Sequence, residues 1–330
     1  MRMTIPTAPV IGVDVGASTI SAGLVCPDGA VLAAAQLPTR GDGDVVETIL
    51  ALINRALASA EERLLGVSGI GVGLPGLVDV DKGLVRSVPG SWLPQLSDVP
   101  LVTIIQERSG HPVFVDNDVN ALTLAEWMFG PDRGASSLVT LAIGTGMGGG
   151  LILDGRLVRG HRHSAGEIGH LAVSFDGPPC ACGRSGCLST YVAGGMITER
   201  ARERLDRYPN STVLRRTGGV PARISAALLF EEAGAGDPLA CAVIDEACEA
   251  LAMGIGALVN LLNPEVIVIT GGVAVSLAPL QDDIVRRARG RTLPGLLDAT
   301  TVRVVGADKL STVRGGAALV LYETARRRQD

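Results

Sequence analysis

The chain has 330 residues, a formal net charge of −5, 47% hydrophobic residues and only 3% aromatic residues. The negative balance excludes the bulk electrostatic attraction of a nucleic-acid-binding protein. No uninterrupted apolar run reaches the ~18 residues of a membrane span, and the start of the chain has no signal-peptide pattern, so we expect a cytoplasmic protein. The length suits one large domain or two ordinary ones, with cores of Ala, Val, Leu and Ile on buried parallel strands.

The first part of the chain alternates buried strands with helical segments. A Pro27-Asp28-Gly29 turn marks a hairpin between the second and third strands. Apolar runs predict strands at 10–16, 20–25, 31–35, 70–74 and 113–115. Helical periodicity predicts helices at 44–64 and 120–129.

A second strand-and-glycine unit repeats the opening pattern. The patterns predict a strand at 138–143, a glycine-rich turn at 144–150, a strand at 151–153, a long helix at 238–262, a strand at 266–270 and a final helix at 316–327. Because no low-complexity linker separates the halves, we expect two α/β domains facing each other across a cleft. The small one comprises residues 1–121 with 315–330, and the large one comprises residues 122–314.

Three glycine-bearing turns follow predicted strands, at 14–19, 144–146 and 271–272. The first combines the carboxylate of Asp14, a glycine that allows close backbone approach, and two hydroxyl donors. The second offers backbone N–H groups and a hydroxyl to phosphate oxygens, and the third would let a nucleotide lie against bare backbone. Each turn alone is equally explained by a glycine at positive φ, but the three together favour a nucleotide-phosphate site.

The segment Asp116-Asn117-Asp118 lies between a predicted strand and a predicted helix. Asn117 or Asp118 would serve as a helix N-cap. The functional alternative is a general base that takes a proton from a substrate hydroxyl, with Asn117 holding a neighbouring hydroxyl.

A compact set of metal-ligand side chains follows, within 18 residues: His170, Cys180, Cys182 and Cys187. Three thiolates and one imidazole form a tetrahedral Zn²⁺ set, and four protein ligands indicate a closed, structural site. Because Glu167 precedes His170 by three residues, a metal that fixes His170 would also fix the backbone that presents Glu167.

On these motifs the chain resembles the ROK family, which joins repressors and sugar kinases, over Ile11 to about Tyr322. The cysteine motif is the most specific part of the resemblance. It implies an actin-like, ribonuclease H-like α/β kinase fold with a structural zinc site, and an ATP- and Mg²⁺-dependent sugar kinase. A homodimer is also implied.

The resemblance assigns roles residue by residue. The catalytic base would be Asp118, and the sugar would be held by Gly76, Asn117, Asp118, Glu167 and His170. Mg²⁺ and phosphate would be held by Asp14, Gly16, Ser18 and Thr19, with a second phosphate turn at Gly144, Thr145 and Gly146. The adenosine would face Gly271 and Gly272, and Zn²⁺ would be bound by His170, Cys180, Cys182 and Cys187.

Three positions depart from the family pattern. The glutamate that usually follows the last cysteine by two residues is Ser189, which removes a charge-assisted contact at the anomeric end of the sugar. The usual Pro-Asn is Pro89-Gly90, and the usual Gly-Thr-Lys of the first turn is Ala17-Ser18-Thr19. The catalytic end of the site is therefore kept while the specificity end has changed.

Three functions remain as alternatives. The substrate is a common hexose such as glucose, or a modified ring such as an amino sugar or a carbocyclic C7-cyclitol. A sugar-sensing repressor would carry an N-terminal helix-turn-helix domain, and only nine residues precede the first strand, so we expect an enzyme. A non-catalytic sugar-binding relative is disfavoured by the intact Asp118 and the three turns.

Overall fold

The computed structural model describes residues 7–39, 44–86, 93–306 and 309–327. The strands are β1 Val10–Val15, β2 Thr19–Val25, β3 Val31–Pro38, β4 Ile70–Leu74, β5 Val78–Asp79, β6 Leu84–Val85, β7 Val113–Asn117, β8 Leu138–Ile143, β9 Met147–Leu153, β10 Arg156–Leu157, β11 Val266–Thr270 and β12 Thr301–Val304. The helices are α1 Val45–Glu62, α2 Leu101–Ser109, α3 Asp118–Phe129, α4 Ser189–Val192, α5 Gly194–Arg202, α6 Val213–Arg216, α7 Ala226–Gly234, α8 Pro238–Leu262, α9 Ala274–Leu277, α10 Gln281–Arg289 and α11 Lys309–Arg327.

The chain forms two compact units. Unit 1 comprises Met1–Ser136, Gly150–Gly166 and Asp308–Asp330, and unit 2 comprises Ser137–Gly149 and Glu167–Ala307. The domain boundaries expected from the sequence stay a prediction.

The sheet of unit 1 has the strand order β3-β2-β1-β4-β7. β1 is antiparallel to β2 but parallel to β4, and β4 is parallel to β7. The register aligns Asp14 with Gly73 and Gly73 with Asp116, so the acidic residues of two strands lie in one row. Since the carboxyl ends of parallel strands share one edge of a sheet, this edge gathers the polar residues that follow β1, β4 and β7.

The last helix, α11, packs closely on the middle of that sheet through glycines. A Cβ atom added to Gly12 would lie 1.9 Å from the carbonyl oxygen of Val313, and one added to Gly71 would lie 2.0 Å from that of Gly316. Residues 317–321 of α11 are fully buried. The glycines therefore let helix backbone and strand backbone meet, and this contact closes unit 1 with the end of the chain.

The second sheet has the order β10-β9-β8-β11-β12, with β8, β11 and β12 parallel. The 25-residue helix α8 begins at the N-cap Asp237 and ends at Asn263, whose φ of 43° is left-handed, immediately before Pro264. Its apolar residues are mostly buried within unit 2, so α8 belongs to the core. In the described part of the chain, no helix is both long and apolar enough to cross a membrane.

Candidate functional site

Asn117 is the N-cap of α3 and also contacts the loop that follows β4. Its Oδ1 accepts hydrogen bonds from Val119 N at 2.9 Å and Asn120 N at 3.2 Å. Its Nδ2 donates to the carbonyl oxygen of Gly76 at 3.2 Å. Of the two capping residues considered, Asn117 rather than Asp118 is therefore the N-cap of α3. The same side chain also holds the Gly76 backbone.

Asp118 is the first residue of α3 and is half-buried. Its Oδ1 accepts a hydrogen bond of 2.9 Å from Val119 N. An anionic side chain at this point is favoured by the positive end of the helix dipole. The Cα of Asp118 lies 3.3 Å from where a Cβ on Gly73 would be, so the start of the helix packs directly on β4.

Asp116, two residues earlier, has a different environment. It is only 2% exposed, and its Oδ2 accepts from Arg159 Nε at 2.6 Å. Its Oδ1 accepts from Asn117 N at 2.7 Å and Asn120 Nδ2 at 2.9 Å. The Asp116 carboxylate is committed to these partners, which leaves Asp118 as the partly exposed acid of the pair.

The turn between β1 and β2 is closed by backbone hydrogen bonds. Gly16 N donates to Thr19 O at 3.0 Å, and Thr39 supports the turn by donating from its hydroxyl to Gly16 O at 2.7 Å and from its N to Ser18 O at 2.9 Å. Ser18 is exposed. Asp14 lies just before this turn, where burial raises its pKa to about 6, partly offset by a hydrogen bond from Thr312. A cation bound at Asp14 would offset that desolvation, so the residue fits a Mg²⁺ site.

In unit 2, the turn at Gly144–Gly146 rests on the start of α5. Gly144 N donates to Gly146 O at 2.9 Å, and Gly194 N donates to Gly144 O at 2.8 Å. Thr145 is exposed at the tip of the turn. The backbone of the turn is therefore held by hydrogen bonds at Gly144, and Thr145 at its tip is exposed to solvent.

The Gly271-Gly272 turn is built onto the end of β8. Gly271 has a φ of 104°, and an added Cβ would lie 2.4 Å from Ile143 O. Val273 N donates to the same carbonyl at 2.9 Å. Gly272 differs, because a Cβ there would meet open space. Gly271 is therefore required for the turn to pack against the end of β8, whereas Gly272 has an exposed backbone.

The four predicted metal ligands come together. One ligand atom from each lies within 4.8 Å of the others, in the residues His170, Cys180, Cys182 and Cys187. The Sγ atoms of Cys182 and Cys187 are 3.7 Å apart, and His170 Nδ1 is 3.6 Å from Cys180 Sγ. Tetrahedral Zn²⁺, with bonds of about 2.3 Å to sulfur and about 2.0 Å to nitrogen, implies a sulfur–sulfur separation of about 3.8 Å and a sulfur–nitrogen separation of about 3.5 Å. The donor set therefore fits Zn²⁺, with Nδ1 as the His170 nitrogen that lies next to a thiol.

Backbone contacts shape the metal-ligand loop. Cys180 N donates to Arg184 O at 2.7 Å, and Leu188 N donates to Leu171 O at 2.8 Å. Burial, with the neighbouring thiols, raises the pKa of Cys187 to about 12. A bound zinc ion would deprotonate such a thiol.

The metal-ligand loop and Glu167 are linked through a short 3-10 helix at Ile168–His170, which begins after Glu167. Glu167 and His170 are both exposed. Gly169 between them lies against Met147 O, 2.6 Å from the position of an added Cβ, and 3.5 Å from Ser189 Cβ. Unit 2 thus brings Glu167, His170 and Ser189 to one place. The other changed position, Pro89-Gly90, lies outside the described residues.

A second group of ligand-type side chains lies in unit 1, at Asp79, Asp81 and His163. His163 Nε2 is 3.1 Å from Asp81 Oδ2. Asp79 already accepts from Lys82 N at 3.1 Å and pairs with Lys82 Nζ at 3.9 Å. Because the Asp81 side chain is largely exposed and Asp79 already has Lys82 as a partner, we assign no metal to this group.

Three residues that shape these sites were not predicted from the sequence: Arg159, Thr39 and Gly194. Arg159 gives no local signal, since its partners are distant in sequence. For Gly194, the available sequence signal was the Gly194-Gly195 pair, which begins α5.

Comparison with known proteins agrees with this architecture. The model of the ROK family matches residues 10–323. A glucokinase from Thermotoga maritima is 35% identical over 287 residues, covering 85% of this chain and 88% of its own. A ROK family glucokinase from Streptomyces griseus, solved in complex with glucose and AMPPNP, is 29% identical with a TM-score of 0.75, covering 97% of this chain and 99% of its own. The DNA-binding transcriptional repressor Mlc of Escherichia coli is 29% identical over 288 residues, covering 86% of this chain and 68% of its own.

The fold and the kinase relatives define a carbohydrate kinase of the actin-like, ribonuclease H-like class, a phosphotransferase with an alcohol acceptor. The chain belongs to the ROK family.

Proposed function

We propose that the chain transfers the γ-phosphoryl group of ATP to a primary hydroxyl of a hexose, an acceptor of the 6-OH type. The proposal rests on the different environments of two acids, Asp116 near the end of β7 and Asp118 at the start of α3. Asp116 is locked in an ion pair, whereas the Asp118 carboxylate lies half-buried at the start of α3. Asp118 is the general base of the reaction.

In the proposed step, Asp118 orients the hydroxyl and accepts its proton. The sugar oxygen bonds to the γ-phosphorus while the bond from that phosphorus to the ADP oxygen breaks. Because positioning and electrostatics supply most of the catalysis in phosphoryl transfer, the rigid capping of α3 by Asn117 contributes directly. It holds the base at one place relative to the Gly76 backbone.

In each unit, the glycine turns are the proposed contacts of the phosphate donor. Asp14 would hold Mg²⁺, directly or through water, and a bound ion would supply charge neutralisation for the phosphates. Backbone N–H groups and hydroxyls at 16–19 and 144–146 contact the phosphates, and the uncovered backbone of Gly272 receives the adenosine. This assignment is supported by the similarity to the Streptomyces griseus enzyme, which binds AMPPNP.

In unit 1, Asn117 and Gly76 are the proposed sugar contacts. In unit 2, Glu167 and His170 are the proposed sugar contacts. Zn²⁺ bound to the cysteine cluster would hold the His170 ring through Nδ1 and leave Nε2 available for a hydroxyl. The zinc is structural, since all four positions are taken by protein ligands.

A modified ring is the second candidate substrate. Ser189 is half-buried next to Gly169 and is neutral and short. A ring without an ordinary anomeric hydroxyl, such as a cyclitol, does not need the glutamate that Ser189 replaces. A sugar-sensing regulator is the third candidate, because the similar protein Mlc is a DNA-binding transcriptional repressor.

The experiment is ADP release with Mg-ATP and a panel of glucose, mannose, N-acetylmannosamine, kanosamine and C7-cyclitols, with the product located by ³¹P NMR. Turnover of glucose at C6 supports the first proposal. Turnover of only a cyclitol or an amino sugar supports the second. Sugar binding without ADP release from any compound contradicts both and supports the regulator.

We also propose a homodimer, from the family resemblance. The mass of the protein in solution, measured by light scattering across a range of concentrations, tests it. A monomer at every concentration would contradict it.

A further inference from the structure

Two buried carboxylates and one largely buried guanidinium form a chain of contacts that begins two residues before the proposed base. Arg159 Nε donates to Asp116 Oδ2 at 2.6 Å, and its NH2 group donates to Glu323 Oε1 at 2.7 Å. The side chains of Asp116, Arg159 and Glu323 are 2%, 13% and 8% exposed. One guanidinium therefore serves two buried acids that come from different parts of the chain.

The Arg159 side chain is held from further sides as well. Its guanidinium lies 5.9 Å from the ring centre of Tyr322, whose hydroxyl accepts from Leu157 N at 3.0 Å. Its own carbonyl accepts from Ala165 N at 2.9 Å, which closes the loop that precedes Glu167. Burial alone would lower the pKa of Arg159, but Asp116 and Glu323 raise it above its ordinary value, so it stays charged.

The other oxygen of Asp116 connects this cation to the proposed base. Asp116 Oδ1 accepts from Asn117 N at 2.7 Å and from Asn120 Nδ2 at 2.9 Å. Asn117 caps α3, and Asp118 is the next residue. Rotation of the Asp116 carboxylate would break its hydrogen bond with the backbone N–H of Asn117 and shift the turn that carries Asp118.

We propose that Arg159 is a positioning residue for the catalytic base. Arg159 holds the Asp116 carboxylate, which in turn accepts a hydrogen bond from the backbone N–H of Asn117, so Arg159 fixes the orientation of the Asn117-Asp118 turn. Through its contact with Glu323, Arg159 also anchors that turn to α11. Arg159 touches no reacting atom. This inference rests on the proposed function, because it needs Asp118 to be the base.

The test compares Arg159→Met, Arg159→Lys and Arg326→Met in steady-state kinetics with the best substrate of the panel. Arg326 is the matched control, because it pairs with the other oxygen of Glu323 at 3.0 Å but does not contact Asp116. Turnover is measured well below the melting temperature and expressed per folded protein, determined by circular dichroism.

We expect Arg159→Met to lower kcat about 100-fold with both KM values within about threefold, since a small misplacement of a catalytic group costs about that factor. Arg159→Lys keeps the charge but cannot bridge both acids in the same way, so its kcat should be intermediate. Arg326→Met should match the wild type. A folded Arg159→Met protein with a kcat within about threefold of the wild type would overturn the proposal.

Two further results complete the design. If Arg159→Met does not fold, Arg159→Lys decides. A loss of kcat of about tenfold or more at nearly unchanged melting temperature supports positioning, and a wild-type kcat overturns it. Asp118→Asn is measured in parallel. If it retains turnover, Asp118 is not the base, and the premise of the Arg159 inference fails while the kinase activity itself stands. If no compound of the panel is turned over by the wild type, the proposed function fails. If Asp118→Asn is inactive while Arg159→Met is fully active, only the Arg159 inference fails.

Discussion

The side-chain amide of Asn117 donates a hydrogen bond of 3.2 Å to the carbonyl oxygen of Gly76. One residue therefore performs two tasks, since its oxygen caps α3 while its nitrogen holds the loop after β4. Gly76 has a φ of 92°, a left-handed conformation that such a contact helps to fix. The cap of a helix and the backbone proposed to approach the sugar are linked by a single amide group.

Asn117→Asp tests this link. Aspartate keeps the capping oxygen but loses the donor and puts negative charge against the Gly76 carbonyl. We expect the sugar KM to rise about tenfold or more, which corresponds to about 1.4 kcal/mol, with the ATP KM unchanged. Asn260→Asp is the control, because Asn260 also donates to a backbone carbonyl, that of Arg291, at 2.9 Å. Equal effects of the two variants on the sugar KM would contradict a specific role.

The two glycines after β11 should respond differently to alanine. Gly271→Ala places a Cβ 2.4 Å from Ile143 O at positive φ, so we expect a loss of unfolding free energy of roughly 2–4 kcal/mol. Gly272→Ala meets open space, so stability should change by less than about 0.5 kcal/mol while the Kd for ATP rises. Chemical denaturation and calorimetry measure the two quantities. Unchanged nucleotide affinity in Gly272→Ala would remove Gly272 from the proposed adenosine site.

The metal assignment predicts about one Zn²⁺ per chain by elemental analysis. Cys187→Ser should lose the metal and lower the melting temperature, because binding of a structural metal contributes to folding. Cys241→Ser is the control, since Cys241 lies outside the four-residue cluster. Zinc far below one per chain in protein purified without chelator, or full retention in Cys187→Ser, would refute the assignment.

Asp237 predicts a pH dependence of stability. Burial alone would raise its pKa, but hydrogen bonds from Ala240 N, Thr212 N and the Ser211 hydroxyl outweigh that effect and lower the pKa below its ordinary value. A depressed pKa means that the carboxylate stabilises the fold above about pH 4, and that this contribution is lost as the pH falls through the folded-state pKa.

Asp237→Asn should therefore lower the unfolding free energy at pH 7 by about 1–3 kcal/mol, and the difference should shrink between about pH 5 and pH 3. Denaturant titrations at several pH values measure it. Asp206→Asn, at an exposed aspartate, is the control and should show little difference at any pH. A difference for Asp237→Asn that is independent of pH would contradict the charge-based account.

The strands and the cysteine cluster were predictable because their signals are local. Apolar runs gave β1, β4, β8 and β11, and the spacing of four ligand residues predicted a cluster that the structure confirms. The arrest of α8 at Asn263-Pro264 is confirmed for the same reason. These patterns depend on neighbours within a few residues.

The predicted starts of two elements were wrong because each contains a glycine that is required for close packing rather than for a turn. The final helix was expected from residue 316 but begins at Lys309, since Gly316 serves backbone contact with Gly71. β9 was expected from residue 151 but begins at Met147, and Gly150 leaves room for Thr123, whose Oγ1 is 2.1 Å from the position of an added Cβ. A glycine in a tight interface and a glycine in a turn look alike in one sequence.

The Arg159 contacts could not be predicted at all. Its partners Asp116 and Glu323 are 43 and 164 positions away. No spacing rule connects such residues, and only the packing of α11 on the sheet brings them together. The short helices between 189 and 234 were also missed, because runs of four to nine residues show little periodicity.

The most direct test of the central claim is the turnover of Asp118→Asn together with its affinity for ATP by calorimetry. If Asp118 is the base, kcat should fall by about 100-fold or more while the ATP Kd stays within about twofold of the wild type. Turnover near the wild-type level in a folded Asp118→Asn protein would show that another group accepts the proton and would contradict the account.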